Sequence, residues 1–164
     1  MISVNETKFT KDPSGNKLIV TRDFNAPLEK VWKAWTDRDQ LDIWWAPKPW
    51  KANTMSMDFK DGGQWLYVMA GPAGEEHWCK VDFQTIEPQK NFTTRSSFCD
   101  KNGNTNADMP TMHWFIRFTS TGAGTAITVE IIFDSKADLE KIVEMGFKQG
   151  FTMGLGNLDE LLVH

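Results

Sequence analysis

Between Lys17 and Phe133 the side chains mostly alternate between apolar and polar, and near each end of the chain that period of two gives way to steps of three and four. Lys17 to Phe24 is the first alternating run: Leu18, Val20 and Arg22 interleave with Ile19, Thr21 and Asp23, behind the turn residues Asp12 to Asn16. Such a run predicts a strand with two unlike faces. The period then lengthens. Leu28, Val31, Trp32 and Trp35 recur at steps of three, one and three, predicting an amphipathic helix with Pro27 at its first position. Asp37 with Gln40 three residues on has the form of a capping box and predicts a second short helix, which Pro47 and Pro49 must end.

Six further β-rich runs follow: Trp50 to Phe59, Gln64 to Ala70, His77 to Ile86, Phe92 to Phe98, Met112 to Thr119 and Thr125 to Phe133. Turn clusters at 61–63, 71–74 and 120–124 separate several of them. Connections this short join antiparallel neighbours, because a parallel pair needs a crossover of about a dozen residues. The expected sheet is an antiparallel meander. Beyond it, Ser135 with Asp138 resembles another capping box, and Phe147, Phe151, Leu155, Leu158 and Leu162 recur at steps of four, four, three and four. This predicts a long amphipathic C-terminal helix. Gly146, Gly150 and Gly154 run beside that apolar face, each costing about 1 kcal/mol relative to alanine inside a helix. Two readings offset the cost: close approach of the helix to the sheet, or space left for a ligand.

At 164 residues, with 40% hydrophobic and 24% charged side chains, the chain is sized for one domain, 1–164. Eight Trp and eleven Phe beside one Tyr is a heavy ring content, which serves either a core or the wall of a small-molecule pocket. The net charge of −4, without a basic run, argues against nucleic acid. The residues Met1 to Glu6 carry neither a basic leader nor an apolar run, and no stretch approaches bilayer length, so a cytoplasmic protein without membrane insertion is expected. Cys79 and Cys99 have no metal-ligand spacing and read as free thiols. Equal counting back from a turn at 87–91 places them nearly opposite one another. His77, His113 and His164 have no separation that joins two imidazoles on one face, so no metal site is expected, and nothing implies a cofactor. No nucleophile elbow or phosphate-cradling loop is present.

The order and spacing of Ala26-Pro27, Val31-Trp32, Thr36-Asp37, Leu41, Trp44-Trp45 and Pro47 resemble the opening signature of the heat-shock protein 90 ATPase activator homologue family. Gly62-Gly63 with Trp65, the turn from Gly71-Pro72 to Gly74, Ile86-Glu87-Pro88, Gly124-Thr125 and Gly150-Phe151 with Leu155, Leu158 and Leu162 extend the similarity over about Leu18 to Leu162. The resemblance implies the START-like, Bet v 1-like superfamily. Its α+β helix-grip fold would wrap a curved antiparallel sheet of about seven strands around a long C-terminal helix, with two short helices after the first strand. It also implies a deep apolar cavity between helix and sheet. The chain departs from the family in carrying Phe151 where tryptophan is usual and in the additional glycines Gly154 and Gly156.

For such a cavity strand parity selects the wall. Trp65, Tyr67 and Met69 share one face, as do Trp114 and Ile116, and Val129 lies on the apolar face of the last strand. Phe147, Phe151 and Leu155 would roof the space, with Trp44 and Trp45 near its mouth. His77, beside a turn, either orients a polar group at the mouth or sits solvated at a strand end, and its position favours the latter. Arg117, Glu130, Asp82 and Arg95 would matter for acid–base chemistry only if they faced inward, and alternation places Arg117 on the polar side. Three functions compete: a module binding a hydrophobic or aromatic small molecule, a co-chaperone acting on a heat-shock protein 90 ATPase as partner, and an enzyme of cyclase or aromatase type. The sequence pattern sets no oligomeric state.

Overall fold

A computed structural model describes residues 6–163. The N-terminal stretch Met1 to Asn5 and His164 lie outside the described residues. Eight strands form one antiparallel sheet: β1 (Lys8–Lys11), β2 (Lys17–Phe24), β3 (Lys51–Met57), β4 (Gln64–Ala70), β5 (Glu76–Glu87), β6 (Asn91–Cys99), β7 (Met112–Ser120) and β8 (Thr125–Phe133). Their spatial order is β1-β2-β8-β7-β6-β5-β4-β3. Strands β3 to β8 are the expected meander, and β2 closes against β8. The sheet has eight strands rather than about seven because β1 adds an edge beside β2, pairing Phe9 with Val20. Four polar-rich residues with one ring carry little alternation to announce a strand.

Four helices complete the fold: α1 (Leu28–Thr36), α2 (Arg38–Trp44), α3 (Lys136–Glu144) and α4 (Phe147–Val163). Pro27 stands one position earlier than expected, as the cap, and its carbonyl receives the N–H groups of Lys30 and Val31. Asp37 caps α2 without a side-chain bond, since its carboxylate is not turned onto the helix. At Ser135 the expected cap is present: its hydroxyl accepts the Asp138 N–H at 3.1 Å. The C-terminal segment is two helices rather than one. Gly146 adopts φ +94°, a left-handed conformation open to glycine and costly for other residues, and it breaks the chain between α3 and α4.

Packing of α4 on the concave face builds the core. Leu18, Val20, Val129, Ile131, Leu155 and Leu158 are each at most 1% exposed. Arg22 shares that face. It is buried, donates to both carboxylate oxygens of Asp159 on α4, and lies 4.9 Å from the Phe24 ring. A buried guanidinium requires such a partner, so this pair ties the C-terminal half of α4 to β2.

Candidate functional site

The paired tryptophans at the end of α2 part company. Trp44 is fully buried and donates its indole N–H to the Ala34 carbonyl at 2.8 Å, which knits α2 to α1. Trp45 turns the other way, and its N–H donates to the Tyr67 hydroxyl at 2.9 Å. Asn157 of α4 donates to the carbonyls of Trp44 and Ala46, at 3.4 and 3.1 Å, fixing the helix against this corner.

Between the N-terminal half of α4 and strands β4 to β7 lies a cavity of about 390 Å³. From the sheet, Tyr67, Met69, His77, Cys79, Phe98, Met112 and Trp114 line it. Register explains the grouping: Met69 pairs with His77, Tyr67 with Cys79, and Cys79 with Phe98, and paired residues in an antiparallel sheet share a face. From the helical side come Trp45, Pro47 and Trp50, then Ile142, Met145, Gly146, Phe147, Gly150 and Phe151, while Lys80, Ser96 and Ser97 complete the wall. A second space of about 30 Å³ shares Trp45, Ser96 and Trp114 with the first and is closed by Trp35, Trp65, Thr94 and Ile116 among others.

The expected wall residues therefore divide. Trp45, Tyr67, Met69, His77, Trp114, Phe147 and Phe151 border the large cavity, and Trp65 and Ile116 border the small one beside it. Trp44, Val129 and Leu155 border neither, because α2, α4 and the β2–β8 side of the sheet meet there without a gap. His77 is exposed at its strand end and also reaches the cavity rim, where its ring lies 5.2 Å from that of Trp50. Arg117, Glu130, Asp82 and Arg95 sit on the opposite face, where Glu130 pairs with Lys17 at 3.0 Å and Asp82 accepts from Gln64.

Alternation within β5 puts Cys79 on the face of His77, Val81 and Phe83, whereas counting back from the turn set it opposite Cys99. Counting from the turn pairs Glu87 with Asn91, but a bulge between Phe83 and Thr85 shifts the register, so Cys79 faces Phe98 and Cys99 faces Trp78. A slip of one residue turns a side chain to the other face. The two thiols, both free, therefore point to opposite sides of the sheet. Burial pushes the Cys79 thiol up to about 12, opposed by its hydrogen bond with Tyr67. Burial also raises the Tyr67 phenol well above its ordinary value, with the Cys79 charge adding to the effect. Both groups are neutral over the physiological range.

The three glycines of the helical segment answer to three different causes. Gly146 needs its positive φ. At Gly154 a Cβ would lie 3.2 Å from the Trp45 carbonyl oxygen and 3.4 Å from that of Trp44, so the glycine permits close approach, to the α2 corner rather than to the sheet. At Gly150, on the cavity wall, a Cβ would meet only Pro47, at 3.8 Å. Here the missing side chain leaves space.

Among the described residues no group of three or more potential metal ligands converges, and no helix is long and apolar enough to cross a membrane. The sequence model for activator of Hsp90 ATPase homolog 1-like proteins matches residues 25–163. The chain belongs to this family. Solved structures agree with the helix-grip architecture. A crystal structure of a Mycobacterium smegmatis protein is similar with a TM-score of 0.88 at 28% identity, covering 95% of this chain and 96% of that one. A solution structure of an Arthrobacter aurescens protein reaches 0.89 at 27% identity, covering 95% and 91%. A Nitrosomonas europaea crystal structure reaches 0.81 at 26% identity, covering 92% and 96%. No curated protein matches the sequence.

Proposed function

We propose that this family member is a small-molecule-binding module that holds a hydrophobic or aromatic ligand between its sheet and α4. The observation that carries this reading is the unfilled space of about 390 Å³ walled by Trp45, Tyr67, Trp114, Phe147 and Phe151, in a molecule whose concave face is solidly packed on its β2–β8 side. Ligand pockets commonly span about 300–1,000 Å³ and are lined by rings with a few polar groups. Ligand binding stabilises the folded state, by about 2.7 kcal/mol at a hundredfold excess over Kd. For a chain of this length that is a rise in Tm of about 5–10 °C. A thermal-shift screen of aromatic and lipid compounds, with native mass spectrometry of the freshly purified protein, is expected to show such a rise or a co-purified mass. A flat response across the panel overturns the reading.

The family match supports a second reading, a co-chaperone that stimulates a heat-shock protein 90 ATPase. Fold and family do not by themselves establish this activity. The check is ATP turnover by the chaperone of the same organism with and without this protein, and unchanged turnover removes the idea.

A further inference from the structure

The hydrogen-bonding groups around the cavity are unequal in kind, and this imbalance bears on what the module binds, resting on the reading just given. Among the described residues no carboxylate lines the cavity. The Tyr67 oxygen already accepts from Trp45, and its register neighbour on β5 is the Cys79 thiol, a poor acceptor for the phenol proton. Trp114, 6% exposed, forms a wall of both the large and the small space, and its indole N–H has no partner; nor has that of Trp35 in the small space. By contrast, the N–H groups of Trp44, Trp45 and Trp65 are each bonded within the protein. Buried donors are nearly always satisfied in folded proteins, so the unsatisfied Trp114 indole on the wall of the large cavity points to an occupant that offers lone pairs.

Cations are placed only where they serve poorly. The Lys80 ammonium donates to the Gly103 carbonyl at 2.9 Å, and His77 is exposed at the rim. An anion at depth would lose its water without a counter-charge to replace it. The same burial that keeps Tyr67 and Cys79 protonated acts against a bound carboxylate.

We propose that the cavity selects uncharged, ring-bearing molecules that carry a hydrogen-bond acceptor such as a ketone oxygen, which takes the Tyr67 hydroxyl proton or the indole N–H of Trp114. Three probes of one shape test it: isopropylnaphthalene, acetylnaphthalene and naphthoate, all substituted at the same ring carbon. Their association constants, 1/Kd, are measured by tryptophan fluorescence at neutral pH and, for the two neutral probes, divided by the water-to-hexadecane partition coefficient. The ketone is expected to exceed the hydrocarbon by at least about tenfold on this normalised scale, the effect of one good hydrogen bond, and to bind at least about tenfold more tightly than the carboxylate. Tyr67→Phe or Trp114→Phe lowers the normalised excess. In the unaltered protein, the infrared carbonyl band of bound acetylnaphthalene lies at lower wavenumber than in hexane, a readout that needs no variant to fold.

Naphthoate binding as tightly as the ketone, an unshifted carbonyl band, or an excess that survives both substitutions overturns the inference. If isopropylnaphthalene binds and the ketone shows no excess, only the acceptor preference falls. If none of the three binds, the container reading falls and this inference with it.

Discussion

The two halves of α4 rest on the same sheet with the same apolar period, yet one half makes a solid core and the other roofs a cavity. In the C-terminal half, Leu155 and Leu158 meet Leu18, Val20 and Val129 with at most 1% exposure, and the Arg22–Asp159 pair clamps the helix to β2. In the N-terminal half, Phe147 and Phe151 lean edge-on against Trp114 and, with Trp45 and Tyr67, border the open space. Aliphatic side chains on β2 and β8 can interdigitate with the helix, whereas large rings braced edge to face hold one another apart. Trp45 is set edge-on to Trp65 and to Phe151, and Trp114 to Phe147 and Phe151, with centroids 5.5–6.3 Å apart.

The sharpest way to break this contrast is to delete the same ring at both ends. Phe24→Ala, at the packed end and 1% exposed, is expected to cost about 3–5 kcal/mol in urea unfolding, the usual range for a buried phenylalanine. Phe98→Ala, on the half-buried cavity wall, should cost about 1 kcal/mol, because one side of that ring already faces open space. Equal losses would mean that the cavity closes in solution.

The glycines of α4 give a smaller and more local test. Gly150→Ala gains up to about 1 kcal/mol of helix propensity, since its Cβ meets only Pro47 at ordinary contact distance, and it narrows the cavity. Gly154→Ala forfeits that gain to crowding against the Trp45 carbonyl, which Asn157 helps to hold in place through its neighbours, and is expected to be destabilising by about 1 kcal/mol. Thermal midpoints of the two variants should therefore move in opposite directions.

The effect confined to the narrowest conditions is a pH dependence at the cavity end, seen only in alkaline solution. The Cys79 thiol titrates near its ordinary 9.0 when unfolded and near about 12 when folded, so between those values the native state holds the extra proton. Stability from this group is complete below 9.0 and falls as pH rises through the window, with Tyr67 acting in the same direction. Cys79→Ala should make the decline in Tm between pH 9 and about 12 shallower, measured by stepped-pH thermal melts.

Much of the fold is legible along the chain because local periods carry it. Leu28 to Trp35 and Phe147 to Leu162 show the helical repeat, and β2, β4 and β8 have the limits their alternation indicates. The site is only partly legible. Parity finds Tyr67 and Met69 because β4 is regular, but the cross-strand partner of Cys79 was not legible, because a bulge in β5 shifts the register and replaces Cys99 with Phe98. Nothing in the doublet Trp44-Trp45 tells which ring enters the core, since the choice depends on the Ala34 carbonyl and the Tyr67 hydroxyl, contributed by other elements.

By itself, then, the sequence determined the antiparallel sheet, the family and the presence of a ring-rich interior, since each rests on patterns repeated within neighbouring residues. Only the tertiary structure decided where that interior is filled and where it is empty, and which indole N–H groups find a partner. Those outcomes depend on distances between residues far apart in the chain, set by one bulge, one left-handed glycine and the close seat of Gly154 on the α2 corner.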